Sequence, residues 1–317
     1  MKIVLTLLLL VPLNILATHP EIDYFLDSKK LKNISETQQR LIAHGFKKVF
    51  FTTEDNVKLC GLFLDQSKTK PVIGTIIYCA GFYPGDKEGM SSFYILIADQ
   101  PYNFLLFDAR GHHESEGSFL TYKNLAKYST HEYLDIIAAI KFVNQYNQMN
   151  KINPDIIIHG ICSGAYHTIK ALDKMTQLSC PECSVVKGII FDSGWFHIKD
   201  IVPTVIQAEA TKQLKESWFS WFTKPLNYVM QTIYHFTFKK NYVSQEGIEE
   251  AIKRTAIPTW FIHCTQDPYV SINPIQKHVQ QCKTEQFWWI HHDSHANYHM
   301  TNHKEYQEKL LHFLHNL

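Results

Sequence analysis

Residues 155–172 read DIIIHGICSGAYHTIKAL: an apolar run, a turn between two glycines, and then a helical pattern. A short apolar run bounded by a turn is typical of a strand that is covered on both faces. Cys162 lies at the centre of the turn, with Gly160 two positions before it and Gly164 two positions after it. A side chain presented on so tight a strand-to-helix turn needs small residues at both flanking positions. The stretch therefore predicts a buried strand, a sharp turn that presents Cys162, and a helix that begins at Ser163.

Ser163 is the alternative centre of this turn. Its flanking positions would be Ile161 and Ala165, and the large Ile161 side chain would crowd the backbone. The spacing therefore selects Cys162 as the candidate nucleophile, with Ser163 as the residue that follows it.

Seven further apolar runs accompany this strand. They lie at residues 48–55, 57–65, 73–82, 103–111, 185–194, 257–264 and 285–292. A short polar turn joins the first two, which predicts an antiparallel pair. Among the later runs, strands alternate with helical patterns, and this alternation is typical of a parallel sheet with right-handed crossovers. The sequence predicts an α/β fold with a mostly parallel eight-stranded sheet and helices on both faces.

One crossover helix is predicted in detail at residues 131–146. Its apolar stripe consists of Tyr133, Ile136, Ile140 and Val143. The opposite side is polar, so we expect this helix to bury one face and expose the other.

The chain begins with a segment, residues 1–17, in which a single lysine, Lys2, precedes an apolar run from Ile3 to Ala17. The segment is short for a membrane-spanning helix and has the form of a secretory signal, with Ala17 as a small residue at the cleavage point. It predicts export to a secreted or periplasmic location, or a membrane anchor if the segment is retained. Residues 18–47 are polar and amphipathic and are predicted to form a helical segment.

Residues 195–256 interrupt the alternation and are too many for one crossover helix. Helical spacing of aromatic residues within them predicts a helical cap, whose inner face would be both core and pocket wall. The segment WFSWF, residues 218–222, adds the hypothesis of peripheral membrane contact through the cap. The α/β core would then comprise residues 48–194 and 257–317.

The charge balance and the cysteine spacing limit which ligands and partners the protein is expected to bind. Lys and Arg (31) nearly balance Asp and Glu (30), so no nucleic-acid partner is indicated. Cys180 and Cys183 are the only CxxC pair among seven cysteines; they could form a local disulfide, but zinc would need two further ligands. We predict no metal and no organic cofactor.

Three further motifs, together with the turn at Cys162, resemble those of the α/β-hydrolase superfamily, whose turn reads G-x-S-x-G. FDARGHHESEG (107–117) resembles the D-x-R-G-x-G-x-S-x-G loop after the fourth strand, with His113 where glycine is usual. IHCTQDPYV (262–270) resembles the turn that carries the acid, and DSHANYH (293–299) the turn that carries the histidine. The resemblance covers the chain from about residue 48 to its end and points to the serine aminopeptidase and dienelactone hydrolase-like branch.

The resemblance implies a triad of Cys162, Asp267 and His295, in the superfamily's order of nucleophile, acid and histidine. A cysteine attacks as its thiolate, which the amino end of the following helix and a protonated His295 would favour. Asp267 would orient the imidazole. The backbone N–H groups of Ser163 and Phe82 would form the oxyanion hole.

Several alternatives stay open. Asp192, at the end of the sixth run, is a second site for the acid. The histidines that flank His295 in sequence are His291, His292 and His299. Structural roles are expected for His159 and His167, and for Asp108, Arg110 and His112 as braces of their loop.

The predicted function is hydrolysis of a carboxylic ester or thioester, with a small-molecule or lipid-like acyl substrate that is partly apolar. A thioester intermediate can also be intercepted by an amine, thiol or alcohol, so acyl transfer is the first alternative. A non-catalytic ligand-binding protein on the same scaffold is the second.

Overall fold

The computed structural model describes residues 35–82, 85–117, 130–197, 201, 204, 247–279 and 285–317. The predicted signal segment (1–17) and most of the N-terminal helical segment (18–47) lie outside the described residues. So does most of the predicted cap (195–256), including the aromatic segment 218–222.

Eight strands form one sheet in the order β1-β2-β4-β3-β5-β6-β7-β8. They are β1 (Lys47–Thr52), β2 (Lys58–Leu64), β3 (Gly74–Cys79), β4 (Tyr102–Phe107), β5 (Ile156–Ile161), β6 (Val186–Asp192), β7 (Thr259–Cys264) and β8 (Glu285–Ile290). The strand β2 is antiparallel to both β1 and β4, and every other pairing is parallel. The predicted mostly parallel sheet and its antiparallel opening pair are confirmed.

Helices cover both faces of the sheet. They are α1 (Glu36–Ala43), α2 (Ser91–Leu96), α3 (Tyr133–Asn150), α4 (Ser163–Gln177), α5 (Glu249–Arg254), α6 (Ile272–Val279), α7 (Tyr298–Thr301) and α8 (His303–His315). Buried side chains of α3, α4, α5 and α6 belong to one apolar core, and those of α1, α2 and α8 belong to the other. Because the sheet strands contribute alternate residues to the two cores, both faces of the sheet are shielded from solvent.

The helix α3 differs from its sequence prediction in length and burial. It continues to Asn150 and ends at Lys151 in a left-handed conformation (φ 56°). Its first half is buried nearly all round, since Leu134 and Ile137 are buried as well as Ile136 and Ile140 of the predicted stripe, and Tyr133 is partly buried. The prediction of an exposed polar face is therefore wrong for this half of the helix, because Asp135 on that face is buried as the partner of Arg110.

The parallel strands bring their carboxyl ends to one edge of the sheet, where open α/β sheets bind ligands. The turns after β3, β5, β7 and β8 carry Phe82, Cys162, Asp267 and His295 respectively. Among the described residues, no helix combines the length and the apolar character that crossing a bilayer requires.

Candidate active site

Cys162 occupies a strained turn between β5 and α4. Its backbone angles are φ 54° and ψ −116°, a conformation that non-glycine residues rarely adopt. A Cβ atom at Gly160 would lie 2.6 Å from the Ala165 Cα atom, and one at Gly164 would lie 2.3 Å from the Cys79 carbonyl oxygen. Both glycines are required because any side chain there would overlap neighbouring backbone.

His295 and Asp267 form a hydrogen-bonded pair. His295 Nδ1 lies 2.7 Å from Asp267 Oδ2. The other carboxylate oxygen, Oδ1, accepts the backbone N–H groups of Tyr269 (2.8 Å) and Val270 (3.0 Å), and the Asp267 side chain is fully buried. Both carboxylate oxygens therefore act as acceptors, and the imidazole bound to Oδ2 must carry its proton on Nδ1.

The other ring nitrogen of His295, Nε2, remains available to accept the proton of the Cys162 thiol. Burial disfavours the charged imidazole, but the Cys162 sulfur and the Asp267 carboxylate outweigh it and hold the pKa of His295 well above its ordinary value. The ring of Tyr269 packs edge-on against the imidazole, with centroids 5.3 Å apart. The geometry thus brings together a carboxylate and an imidazole that are hydrogen-bonded to each other, with the Cys162 thiol close enough to act on the charge of the imidazole.

The loop after β3 passes close to the sulfur. A Cβ atom at Gly81 would lie 3.1 Å from the Cys162 Cβ atom. The next residue, Phe82, lines a cavity together with Ser163, which is the first residue of α4. Phe82 and Ser163, the two residues expected to supply oxyanion donors, therefore flank the same space.

Contacts within the protein brace the loop after β4. Arg110 Nε donates to Asp135 (2.7 Å), and its terminal nitrogens donate to Asp55 (2.7 and 3.0 Å). The ring nitrogens of His112 lie 3.1 Å from the carbonyl oxygens of Arg110 and Phe82, which links this loop to the loop after β3.

Asp108 belongs to a buried charge cluster on the same loop. Its carboxylate lies 2.6 Å from Lys87 Nζ, and that ammonium also binds Glu114 at 2.9 Å. Cys60 lies beside these carboxylates, and the three acidic or sulfur ligands lie within 4.8 Å of one another. Because the ammonium groups of Lys87 and Lys48 together balance the two carboxylates, the cluster is satisfied by ion pairs and does not fit a divalent cation.

A cavity of about 310 Å³ opens on the oxyanion side of the turn. Its apolar lining residues include Cys79, Ala80, Phe107 and Ile136. Its polar lining residues include Arg110 with its two carboxylate partners, Asp55 and Asp135.

The alternative acid, Asp192, is engaged elsewhere. Its carboxylate accepts hydrogen bonds from the Tyr306 hydroxyl (2.6 Å) and the Ser193 hydroxyl (2.7 Å). Burial raises the pKa of Asp192 to about 6, although both hydrogen bonds oppose the rise. His295 is paired with Asp267 and not with this carboxylate.

The structure does not bring the alternative histidines to the sulfur. His299 lies in α7, where its ring stacks on Phe93 at 3.6 Å and Nε2 contacts the Ser92 hydroxyl. His292 Nδ1 lies 3.0 Å from the Ser294 hydroxyl, and His291 is exposed. His159 and His167 are buried inside β5 and α4.

Three residues near the site escaped sequence reasoning. Ser193 and Tyr306 contact Asp192, and His263 Nε2 lies 3.0 Å from the Val270 carbonyl oxygen and 3.8 Å from Asp267 Oδ2. FDSG at the end of β6 was a usable signal for Ser193. Tyr306 and His263 are embedded in ordinary helix and strand patterns, which carry no such signal. The six described cysteines, including Cys180 and Cys183, are free thiols.

Comparison with solved structures establishes the fold. The esterase Pf2001 of Pyrococcus furiosus superposes with a TM-score of 0.66 at 20% identity, over 90% of this chain and 96% of its own. An Exiguobacterium antarcticum esterase gives 0.55 at 15% identity (84% and 99% covered), and a Mycobacterium smegmatis proline iminopeptidase gives 0.59 at 9% (85% and 98%). No protein-family model and no curated protein sequence matches the chain. At these identities the similarity shows that the chain has the α/β-hydrolase fold.

Proposed function

We propose that this protein hydrolyses small carboxylic esters or thioesters through a Cys162–His295–Asp267 triad and a covalent acyl-enzyme. The observation that carries the proposal is the hydrogen-bonded pair of Asp267 and His295 beside the Cys162 thiol, which a strained strand-to-helix turn presents. The fold shared with the solved esterases supports it.

The first half-reaction begins with transfer of the Cys162 proton to His295 Nε2. The thiolate attacks the acyl carbon, and the carbonyl electron pair becomes an oxyanion. Donors held before the charge develops contribute on the order of 3 kcal/mol each, and the N–H groups of Phe82 and Ser163 are the candidates. When the oxyanion collapses, the bond to the leaving group breaks and His295 delivers its proton to that group.

The second half-reaction regenerates the thiol. His295 accepts a proton from water, the hydroxide attacks the thioester, and the carboxylic acid leaves as the proton returns to sulfur. Asp267 keeps the imidazole in the Nδ1–H tautomer and stabilises its charged form in both halves.

The cavity beside Ser163 is the proposed acyl subsite. Ligand pockets range from about 300 to 1,000 Å³, so a volume of about 310 Å³ fits a short acyl group better than a long lipid chain. The cavity guanidinium, Arg110, is already paired with two carboxylates, so among the described lining residues it offers no unpaired arginine to an acyl carboxylate. Short uncharged acyl groups are therefore the proposed substrates.

The test is turnover of p-nitrophenyl acetate and butyrate and of the matching thioesters by the wild-type protein and Cys162→Ala. Cys180→Ala is the matched control, since Cys180 is a half-buried thiol in the turn between α4 and β6. We expect Cys162→Ala to lose turnover and Cys180→Ala to retain it. Intact-mass detection of one acyl group on wild-type protein, absent from Cys162→Ala, would identify the acyl-enzyme.

Turnover by Cys162→Ala at the wild-type rate would overturn the proposal. Adding an amine or thiol acceptor to the same assay separates hydrolysis from transfer. If the acyl group goes to the acceptor in preference to water, the acyl-enzyme stands but the protein acts as an acyltransferase.

A further inference from the structure

The dipeptide Asp192-Ser193, at the end of β6, contacts the nucleophile turn, the histidine turn and the strand that leads to the acid turn. The Asp192 carbonyl oxygen accepts the backbone N–H of Cys162 at 2.8 Å. The Ser193 N–H donates to the carbonyl oxygen of Ile262, in the strand that leads to Asp267, at 2.9 Å. The Ser193 hydroxyl accepts the backbone N–H of Ala296 at 3.1 Å, 103 positions away in sequence.

The last of these contacts reaches the histidine turn itself. Ala296 follows His295 directly and has a positive φ of 56°. Ser193 also has a positive φ of 54°. Such backbone conformations persist when surrounding contacts fix them, and the hydrogen bond between these two residues is one of those contacts.

The Asp192 carboxylate fixes the orientation of the Ser193 hydroxyl. The hydroxyl donates to Asp192 Oδ1 at 2.7 Å, which directs its lone pairs toward the Ala296 N–H. Asp192 Oδ2 accepts the hydroxyl of Tyr306, a fully buried residue of α8, at 2.6 Å. The Tyr306 hydroxyl also lies 3.3 Å from His159 Nε2. A chain of buried polar groups therefore runs from helix α8 through Asp192 to the histidine turn.

We propose that Asp192 and Ser193 are positioning residues that set the separation of His295 Nε2 from the Cys162 sulfur, with Tyr306 holding the Asp192 carboxyl in place. The Asp192 carbonyl oxygen binds the nucleophile turn, and the Ser193 hydroxyl binds the histidine turn. Neither residue touches the reacting atoms. The inference rests on the proposed pairing of Cys162 with His295, and it assigns a role to the carboxylate that the triad does not use.

The test follows alkylation of Cys162 by iodoacetamide as a function of pH, because this reaction needs no substrate. Mass spectrometry of the Cys162 peptide separates it from the other thiols. The variants are Ser193→Ala and Tyr306→Phe, with His295→Ala as the reference for complete uncoupling. Ser115→Ala is the matched control, because the buried Ser115 hydroxyl also binds a backbone N–H (Cys60, 2.9 Å) and a loop oxygen (Asp108, 2.7 Å).

For Ser193→Ala we expect alkylation near neutral pH to slow by on the order of 10- to 100-fold, the usual effect of misplacing a reacting group by about 1 Å. At alkaline pH, where the thiolate forms without help, the rates should converge. Tyr306→Phe should shift the profile in the same direction by less, and Ser115→Ala should overlay the wild type. Where an ester is turned over, kcat should fall with KM little changed.

Three results would overturn the inference. The first is a Ser193→Ala profile that overlays the wild type. If Ser193→Ala does not fold, a wild-type profile for Tyr306→Phe has the same meaning. The second is an equal shift in Ser115→Ala, which would make the effect one of general stability. The third is a wild-type profile that matches that of His295→Ala, since His295 would then have no effect on Cys162 for Asp192 and Ser193 to control. Absence of ester turnover alone would refute the proposed function and leave this inference standing on the alkylation profile.

Discussion

Replacing Asp267 by asparagine tests the proposed triad most directly. In the wild type, Oδ1 accepts two backbone N–H groups, from Tyr269 and Val270, and Oδ2 accepts the Nδ1 proton of His295. Asparagine has one acceptor oxygen and one NH₂ group. Turning the NH₂ group toward the two backbone donors would oppose donors to donors, so the amide oxygen should stay there and the NH₂ group should face His295.

This orientation forces the wrong tautomer. Nδ1 must then accept, so the ring proton moves to Nε2, where it faces the Cys162 sulfur and can no longer receive the thiol proton. The negative charge 2.7 Å from the imidazole is also lost. Inverting the tautomer in a triad of this kind lowers kcat by about 10⁴-fold. That factor corresponds to about 5.5 kcal/mol of transition-state stabilisation.

The assay is kcat/KM for p-nitrophenyl acetate at neutral pH, with the denaturation midpoint measured in parallel. Asp65→Asn is the control, because Asp65 accepts three hydrogen bonds from Ser67 and Tyr146 at the opposite edge of the sheet. We expect Asp65→Asn to keep wild-type kinetics. If Asp267→Asn retains kcat/KM within about tenfold of the wild type, the assignment of Asp267 as the triad acid is refuted.

Three further expectations follow from other contacts. Gly164→Ala would put a methyl carbon 2.3 Å from the Cys79 carbonyl oxygen, so it should cost about 3 kcal/mol or more of unfolding free energy; an unchanged urea midpoint would contradict this. Burial lowers the pKa of His159 to about 3, so the folded state resists a proton that the unfolded chain accepts below about pH 6.5. Stability should therefore fall as the pH drops from that value toward 3, by at most about 1.4 kcal/mol per unit, and His159→Gln should flatten the slope in acid denaturation curves. Finally, because two carboxylates already pair with Arg110, succinyl esters should show kcat/KM at least about tenfold below butyryl esters, and equal values would contradict the proposed acyl subsite.

The sheet could be predicted because its strands are covered on both faces and therefore read as unbroken apolar runs. The bounds of β5 and the start of α4 at Ser163 follow from the glycines around Cys162, whose spacing is fixed by backbone clearance. Burial of α3 could not be predicted in the same way. Asp135 reads as a surface residue until its partner, Arg110, is placed against it.

In the candidate site, too, some residues could be predicted from local sequence and others could not. Cys162, Asp267 and His295 each lie in a short turn whose local sequence marks it. The contacts of Asp192 with Tyr306 and of Ser193 with Ala296 join residues more than a hundred positions apart, and no local pattern encodes either pair. Such contacts are set by how strands and helices assemble, so only the folded chain shows them.

The close approach at Gly164 also bears on how this protein could acquire new substrates. The start of helix α4 lies directly against the carbonyl oxygens of Cys79 and Ala80, so backbone and not side-chain packing fixes the distance from the sulfur to the loop after β3. The cavity walls at Phe107 and Ile136 belong to other elements and do not set that distance. Laboratory evolution could therefore enlarge or reshape the acyl cavity at these positions while the reacting geometry stays constant.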